Sequence, residues 1–228
     1  MPTRVNALAV MAKAPIPGEV KTRLTPPLTQ EQATEFYRAL LLDQLDHLAT
    51  LDSADLYVAF SPSNAGPLVE SLLPAGYGCF PQCDGDLGSR MGGVFAELWR
   101  RGHGSSIVIG SDLPPVPLGT LHEGFQHLST GRQVVLGPSR DGGYYLIGMN
   151  HPSPELFSNM TWSHERVLTE TTAKLARLGI DFRLLAEWFD IDTSKDMEHL
   201  QTIVDAATGA SMKRTLAYLE AIREYWQR

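Results

Sequence analysis

The chain has 228 residues, a length that suits one α/β domain whose core needs no disulfide or metal staple. Nineteen Lys and Arg stand against 26 Asp and Glu, and the formal net charge of −7 excludes the basic footprint of a nucleic-acid or anionic-membrane binder, though not a small anion held by local cations. Cys79 and Cys83 form no disulfide framework and, with no histidine beside them, a poor zinc site; both are expected as free, partly buried thiols.

The first strand is expected over Val5–Met11, an apolar run too short for a signal-peptide core or a membrane span, so the protein is expected in the cytoplasm. A long amphipathic helix follows over Thr29–Leu51, with Thr29 and Gln32 in capping-box spacing. Leu56–Phe60 reads as a strand, Pro67–Leu73 as a short helix and Tyr77–Phe80 as a weak strand. Leu87–Arg101 is a helix, Ser106–Ile109 a strand and Leu118–Leu128 a helix. Val134–Leu136 is a strand, and the turn Asp141-Gly-Gly leads into a second apolar strand through YYLIGM. The C-terminal third reads as a helix over Ser163–Leu178, a strand over Phe182–Leu185, a helix over Thr193–Ala207 with Thr193 and Asp196 as its capping pair, and a last amphipathic helix over Ser211–Trp226. Strands alternating with helices predict a parallel sheet with crossover helices. No repeat or linker interrupts the chain, so residues 1–228 are expected as one domain with a helical C-terminus from about 194.

Ligands of open α/β sheets bind beyond the carboxyl ends of the strands, which gives weight to four polar loops. The first is KAPIPGEVKTRL, Lys13–Leu24. It is not a P-loop, because Val20 stands where that motif needs the glycine before Lys21, and Gly18 alone cannot build the nest of backbone N–H groups. Lys21 and Arg23 still place a point charge and a guanidinium fork beside a proline-shaped loop, a pair that suits a polyphosphate; solvated loop ends would look the same.

The second loop is GSDLP. Asp112, just past a buried strand, is placed to hold a divalent cation with substrate phosphates, or to cap the next turn. The third is FDIDTSKD. Asp190 and Asp192 are expected to face opposite ways along an extended segment, with one of them in a site. The D-x-D-x-T pattern resembles the haloacid dehalogenase phosphatases, but there it ends the first strand, whereas only 36 residues follow Asp192. A helix cap at Asp192 or Thr193 is the plain alternative. The fourth feature pairs QCDGDLGSRM, where Asp86 and Arg90 could rim a ligand, with GPSRDGGYYLIG. A turn alone explains Gly142 and Gly143, which would also let a ligand approach the backbone. Tyr144 and Tyr145 alternate, so one belongs to the core and the other could line a pocket.

Together and in this order, KAPIPGEVKTRL, QCDGDLGSRM, IGSDLP, LGPSRDGGYYLIG and DIDTSKDMEHL resemble the bacterial GT-A-like glycosyltransferases associated with radical-SAM, selenodomain or arsenosugar gene clusters, over nearly the whole chain. The wider nucleotide-diphospho-sugar transferase superfamily includes 2-phospho-L-lactate guanylyltransferase and the molybdenum-cofactor nucleotidyltransferases. The resemblance implies a three-layer α/β/α fold with a mostly parallel, mixed sheet. It implies that Lys21 and Arg23 meet the phosphates, with Ala14, Pro15 and Gly18 of the same loop, and Asp86 and Arg90, in the nucleotide site. Asp112 and Asp192 would hold Mg²⁺ or Mn²⁺. Asp141, Gly142, Gly143 and Tyr144 would lie on the acceptor side, Asp141 positioning or deprotonating the acceptor. Asp112 departs from the D-x-D of many GT-A enzymes in being a single acid. The implied activity is glycosyl transfer from a nucleotide-diphospho-sugar to a small acceptor. Alternatives are nucleotidyl transfer from an NTP to a phosphate- or hydroxyl-bearing molecule with pyrophosphate release, and nucleotide binding without catalysis.

Overall fold

The computed structural model describes residues 5–203 and 206–226. Strand β1 (Asn6–Lys13) lies inside the sheet between two parallel neighbours, and its sequence shows why. Leu8, Val10 and Ala12 point to one face, Ala7 and Ala9 to the other, and all five are buried. A strand covered on both faces must be apolar throughout. The small alanines leave room on their side for the large side chains of the helix packed there.

The other strands are β2 (Asp55–Ser61), β3 (Tyr77–Pro81), β4 (Ser105–Gly110), β5 (Val134–Pro138), β6 (Tyr144–Met149) and β7 (Phe182–Leu184). They form one seven-stranded sheet in the order β3-β2-β1-β4-β6-β5-β7. Only β6 runs against its neighbours; β1, β2, β3 and β4 are mutually parallel, and β7 is parallel to β5. The chain winds outward from β1 to β3 and then returns to place β4 on the other side of β1. That reversal opens a crevice at the carboxyl ends of β1 and β4.

Helices α1 (Gln30–Leu48), α2 (Gly66–Glu70) and α4 (Leu118–Ser129) cover one face, through Tyr37, Leu41, Leu45, Val69, Leu121 and Phe125. The opposite face is covered by α3 (Leu87–Arg100) and α5 (Val167–Leu178), with Phe95, Leu98 and Leu175 in its core. The result is the expected three-layer α/β/α arrangement. Thr29 caps α1 with the reciprocal hydrogen bonds of a capping box: its hydroxyl accepts from Gln32 N, and the Gln32 side chain accepts from Thr29 N.

Four short C-terminal helices follow: α6 (Ser194–Ile203), α7 (Ala206–Ser211), α8 (Lys213–Ala221) and α9 (Arg223–Trp226). Two of them build a third apolar layer on the outer side of α1, where Phe36 and Leu40 meet Met197, Leu200, Met212 and Leu219. Helix α1 is therefore apolar on two faces. Its one fully enclosed acid, Asp43, caps α8: Arg214 N and Thr215 N donate to its carboxylate at 3.2 and 2.8 Å, and the Thr215 hydroxyl donates at 2.8 Å.

Three expectations change. The helix read from Ser163 begins at Val167, because Ser163 is left-handed (φ 66°) and the Leu168 N–H turns to the carbonyl of Gly142. The helix read over Ser211–Trp226 is two helices, parted by Ile222, and the run expected as far as Ala207 crosses residues 204–205, which lie outside the described residues. Cys83 is exposed, and only Cys79 is partly buried; both are free. No helix among the described residues is long and apolar enough to cross a membrane.

Candidate active site

The ends of β1 and β4, the start of the reversed strand β6 and the loops beyond them enclose a cleft of about 760 Å³. That volume is ordinary for a small-molecule site. Its position at the winding reversal is set by topology, and its polar groups come from the loops.

On one side lies the loop after β1. Lys21 holds a left-handed conformation (φ 49°, ψ 37°) that turns its side chain inward. The side chain is 2% exposed, and Nζ reaches Asp112 Oδ1 at 2.8 Å and Asp192 Oδ1 at 3.2 Å. Arg23 Nη1 meets the other oxygen of Asp192, also at 3.2 Å, but stays 75% exposed at the mouth. Residues more than 170 apart in the chain are thus joined by one ammonium. Beneath them, the Tyr37 hydroxyl donates to the carbonyl of Lys13 at 2.9 Å and accepts from Ser111 Oγ at 2.9 Å, tying the ends of β1 and β4 together. Burial, and then the charge of Asp112, push the Tyr37 hydroxyl far above the ordinary tyrosine range, so it remains a proton donor.

A second cation is fixed from the opposite wall. Gln82, buried directly after β3, donates to the carbonyl of Ala59 at 2.6 Å and accepts from Arg90 Nε at 2.7 Å. Arg90 Nη2 also donates to Ser61 Oγ at 3.2 Å. Arg90 is thereby held at the cleft lining with its orientation set by a buried partner.

The far end is acidic. Asp190 accepts from Ser139 Oγ at 2.6 Å. Burial pushes its carboxyl up to about 6 against the pull of that hydrogen bond, and the charges of Asp141, Asp192 and Asp112 push the same way. Asp190 and Asp192 both line the cleft, which overturns the expectation that they face opposite ways. Residues two apart on an extended chain share a side; the residues between and before them, Ile191 and Phe189, point into the core. Asp141 accepts from Gly143 N at 2.9 Å, closing the turn into β6.

Of the residues expected in a site, Arg23, Arg90, Asp112, Asp141, Gly143, Tyr144 and Asp192 line the cleft, and Lys21 lines an adjoining hollow with Asp112 and Asp192. Ala14, Pro15, Gly18, Asp86 and Gly142 lie outside the lining. Ala14 is fully buried, its N–H bonded to Ser61 O, and Asp86 caps α3 by accepting from Ser89 N at 2.8 Å. Gly142 (φ 87°) admits no side chain, for a Cβ there would sit 1.9 Å from the carbonyl oxygen of Glu165. Both tyrosines contribute to the cleft lining; Tyr145 is also part of the core on one face of the sheet, its hydroxyl bonded to Ala186 O, and Tyr144 packs against the core on the other.

The sequence reading missed Gln82 and the wall formed by Trp162 and His164, and Ser139, which reaches the site through Asp190. Gln82 carried the signal used elsewhere, a polar residue immediately after a strand. Trp162 did not, because it follows no predicted strand. Its ring lies over Gly88, where a Cβ would come within 2.6 Å.

No group of three or more His, Cys, Asp or Glu side chains able to hold a metal ion occurs among the described residues. Asp112 and Asp192 converge on one cation, and their side chains are 50% and 41% exposed. That donor set fits Mg²⁺ or Mn²⁺ in the manner of a two-carboxylate site completed by phosphate and water oxygens.

The sheet order and the switch-point cleft define the class, the nucleotide-diphospho-sugar transferase fold. A structure from Desulfovibrio desulfuricans G20, assigned as a nucleotide-diphospho-sugar transferase, is 28% identical, covers 98% of this chain and 99% of its own, and superposes with a TM-score of 0.88. The chain belongs to DUF2064, described as an uncharacterized protein conserved in bacteria, whose family model matches residues 44–164. A cytidylyltransferase from Leptospira borgpetersenii shares the fold at 14% identity, covering 97% of this chain and 94% of its own with a TM-score of 0.58. So does Rv0371c from Mycobacterium tuberculosis H37Rv in complex with manganese, at 17% identity, 87% and 98% coverage and a TM-score of 0.51. None of the curated proteins matches the sequence.

Proposed function

We propose that this protein transfers a group from a nucleotide-activated donor, a nucleotide-diphospho-sugar, to a small acceptor. The observation that carries this reading is the junction of Lys21, Arg23, Asp112 and Asp192 at the β1/β4 switch point. Lys21 and Arg23 would bind the diphosphate and neutralise the charge that grows on it as the sugar bond breaks. Arg90, steadied by Gln82, would hold the nucleotide on the same side. Asp112 and Asp192 would hold a divalent cation, which supplies Lewis-acid stabilisation of the phosphates when bound; the manganese complex of a protein with the same fold supports this assignment. Asp141 would accept a hydrogen bond from an acceptor hydroxyl and take its proton as the new bond forms. Tyr144 and Gly143 would shape the acceptor side.

One feature favours a second reading, nucleotidyl transfer from an NTP. Two cations on one loop give a β,γ-diphosphate leaving group more stabilisation than a sugar donor requires. Incubation with Mn²⁺ and each NTP, or each UDP-, GDP- and dTDP-sugar, separates the two. Release of NDP from a nucleotide sugar supports glycosyl transfer; pyrophosphate from an NTP would overturn it in favour of the second reading.

A further inference from the structure

The Lys21 ammonium stands where a cation shared by Asp112 and Asp192 would have to stand. It lies 2.8 Å from one carboxylate and 3.2 Å from the other, and both carboxylates open onto the cleft. Among the described residues its further acceptor is the carbonyl of Asp112, at 3.5 Å. A divalent ion cannot share these two carboxylates with an ammonium at such distances without strong repulsion. In the free protein the ammonium is held there, because its side chain is enclosed and its ion pairs among the described residues are with these two acids.

We infer that Lys21 is the resident counter-cation of the Asp112–Asp192 pair and makes cation and nucleotide binding interdependent. The inference rests on the nucleotide-donor reading above. Phosphate oxygens entering the cleft give the ammonium a new anionic partner and free both carboxylates for the divalent ion. Arg23 makes the same exchange at the mouth, leaving Asp192 Oδ2 for phosphate. Each ligand thus prepares the site for the other, and the coupling is reciprocal. The arrangement keeps the two acids neutralised in the free protein and discourages occupation of the site by a cation alone.

Equilibrium dialysis of the full chain against Mn²⁺, without nucleotide, tests the exchange. Lys21→Met should bind Mn²⁺ roughly tenfold or more tightly than the unaltered protein, since a competing charge at contact distance is gone. Lys21→Arg, which keeps the charge, should not gain, and adding Asp192→Asn to Lys21→Met should abolish the gain. With nucleotides or nucleotide sugars present, the unaltered protein should retain Mn²⁺ at least about tenfold more tightly than without them, and Lys21→Met should lose that coupling. Equal Mn²⁺ affinity of the unaltered protein and Lys21→Met in the absence of nucleotide would overturn the inference. A gain for Lys21→Met, with no nucleotide or nucleotide sugar altering retention by the unaltered protein, would uphold the resident cation and overturn the donor reading.

Discussion

Asp190 is enclosed among three other carboxylates, with one hydroxyl to support its charge. Its folded-state value of about 6 lies above the ordinary aspartate value of 3.8, so the folded protein holds this proton more tightly than the unfolded chain. Stability from this group is therefore greatest below pH 4, and falls as the pH rises through the window from about 4 to 6. Asp190→Asn keeps an acceptor for Ser139 and removes the charge. In urea unfolding without divalent cation, the variant should gain on the order of 2–3 kcal/mol at pH 8 relative to its effect at pH 4. An equal effect at both values would show that Asp190 is not under strain. At Gly142 the constraint is steric. Alanine there meets the Glu165 carbonyl and adopts a positive φ, so a loss of about 2 kcal/mol or more is expected from the shift in urea midpoint. The sequence showed a tight turn at this position, but not the segment packed against it, because residues 163–166 were read as helix.

Among the elements, α1 was the easiest to recognise and the most incompletely read. Its capping box and length were plain in Thr29, Gln32 and the apolar periodicity. A local pattern cannot tell, however, that Phe36 and Leu40 face a second apolar layer while Tyr37 and Leu41 face the sheet. Nor does it separate Asp43, which caps a helix from far along the chain, from the exposed acids around it. Asp43→Ala would strand the buried N–H and hydroxyl of Thr215, while Arg214 keeps its ion pair with Asp46. The expected cost is about 1–3 kcal/mol, with earlier proteolysis of the C-terminal helices than of the sheet. Loss of stability without that order of cleavage would place the role of Asp43 elsewhere. The fold class and the polar loops at the strand ends were legible for the opposite reason: buried parallel strands and the polar residues ending them are local features. The pairing of Lys21 with Asp192 joins two distant loops, and only the assembled sheet brings them together.

Across the whole molecule, the cleft divides its tasks between the two parts of the winding. The loops after β1, β3 and β4 bring Lys21, Gln82 and Asp112, and α3 brings Arg90; the later segment brings Asp141, Asp190 and Asp192. A ligand that fills the cleft bridges both parts, so binding must add to the stability of the entire sheet. For a donor at a hundredfold excess over its dissociation constant, linkage predicts a gain of about 2.7 kcal/mol, read as an upward shift in thermal midpoint. The shift should require Mn²⁺ and nucleotide together, because either alone leaves Lys21 or the carboxylate pair without a counter-ion. Arg90→Met should reduce it and lower the unliganded midpoint as well, because the buried Gln82 Oε1 loses its donor. Unequal shifts among CTP, GTP, UTP, ATP and their sugar conjugates would then identify the base and the activated group. A uniform absence of shift across that panel, with Mn²⁺ present, would remove nucleotide donors from consideration and leave the cleft to another anionic ligand.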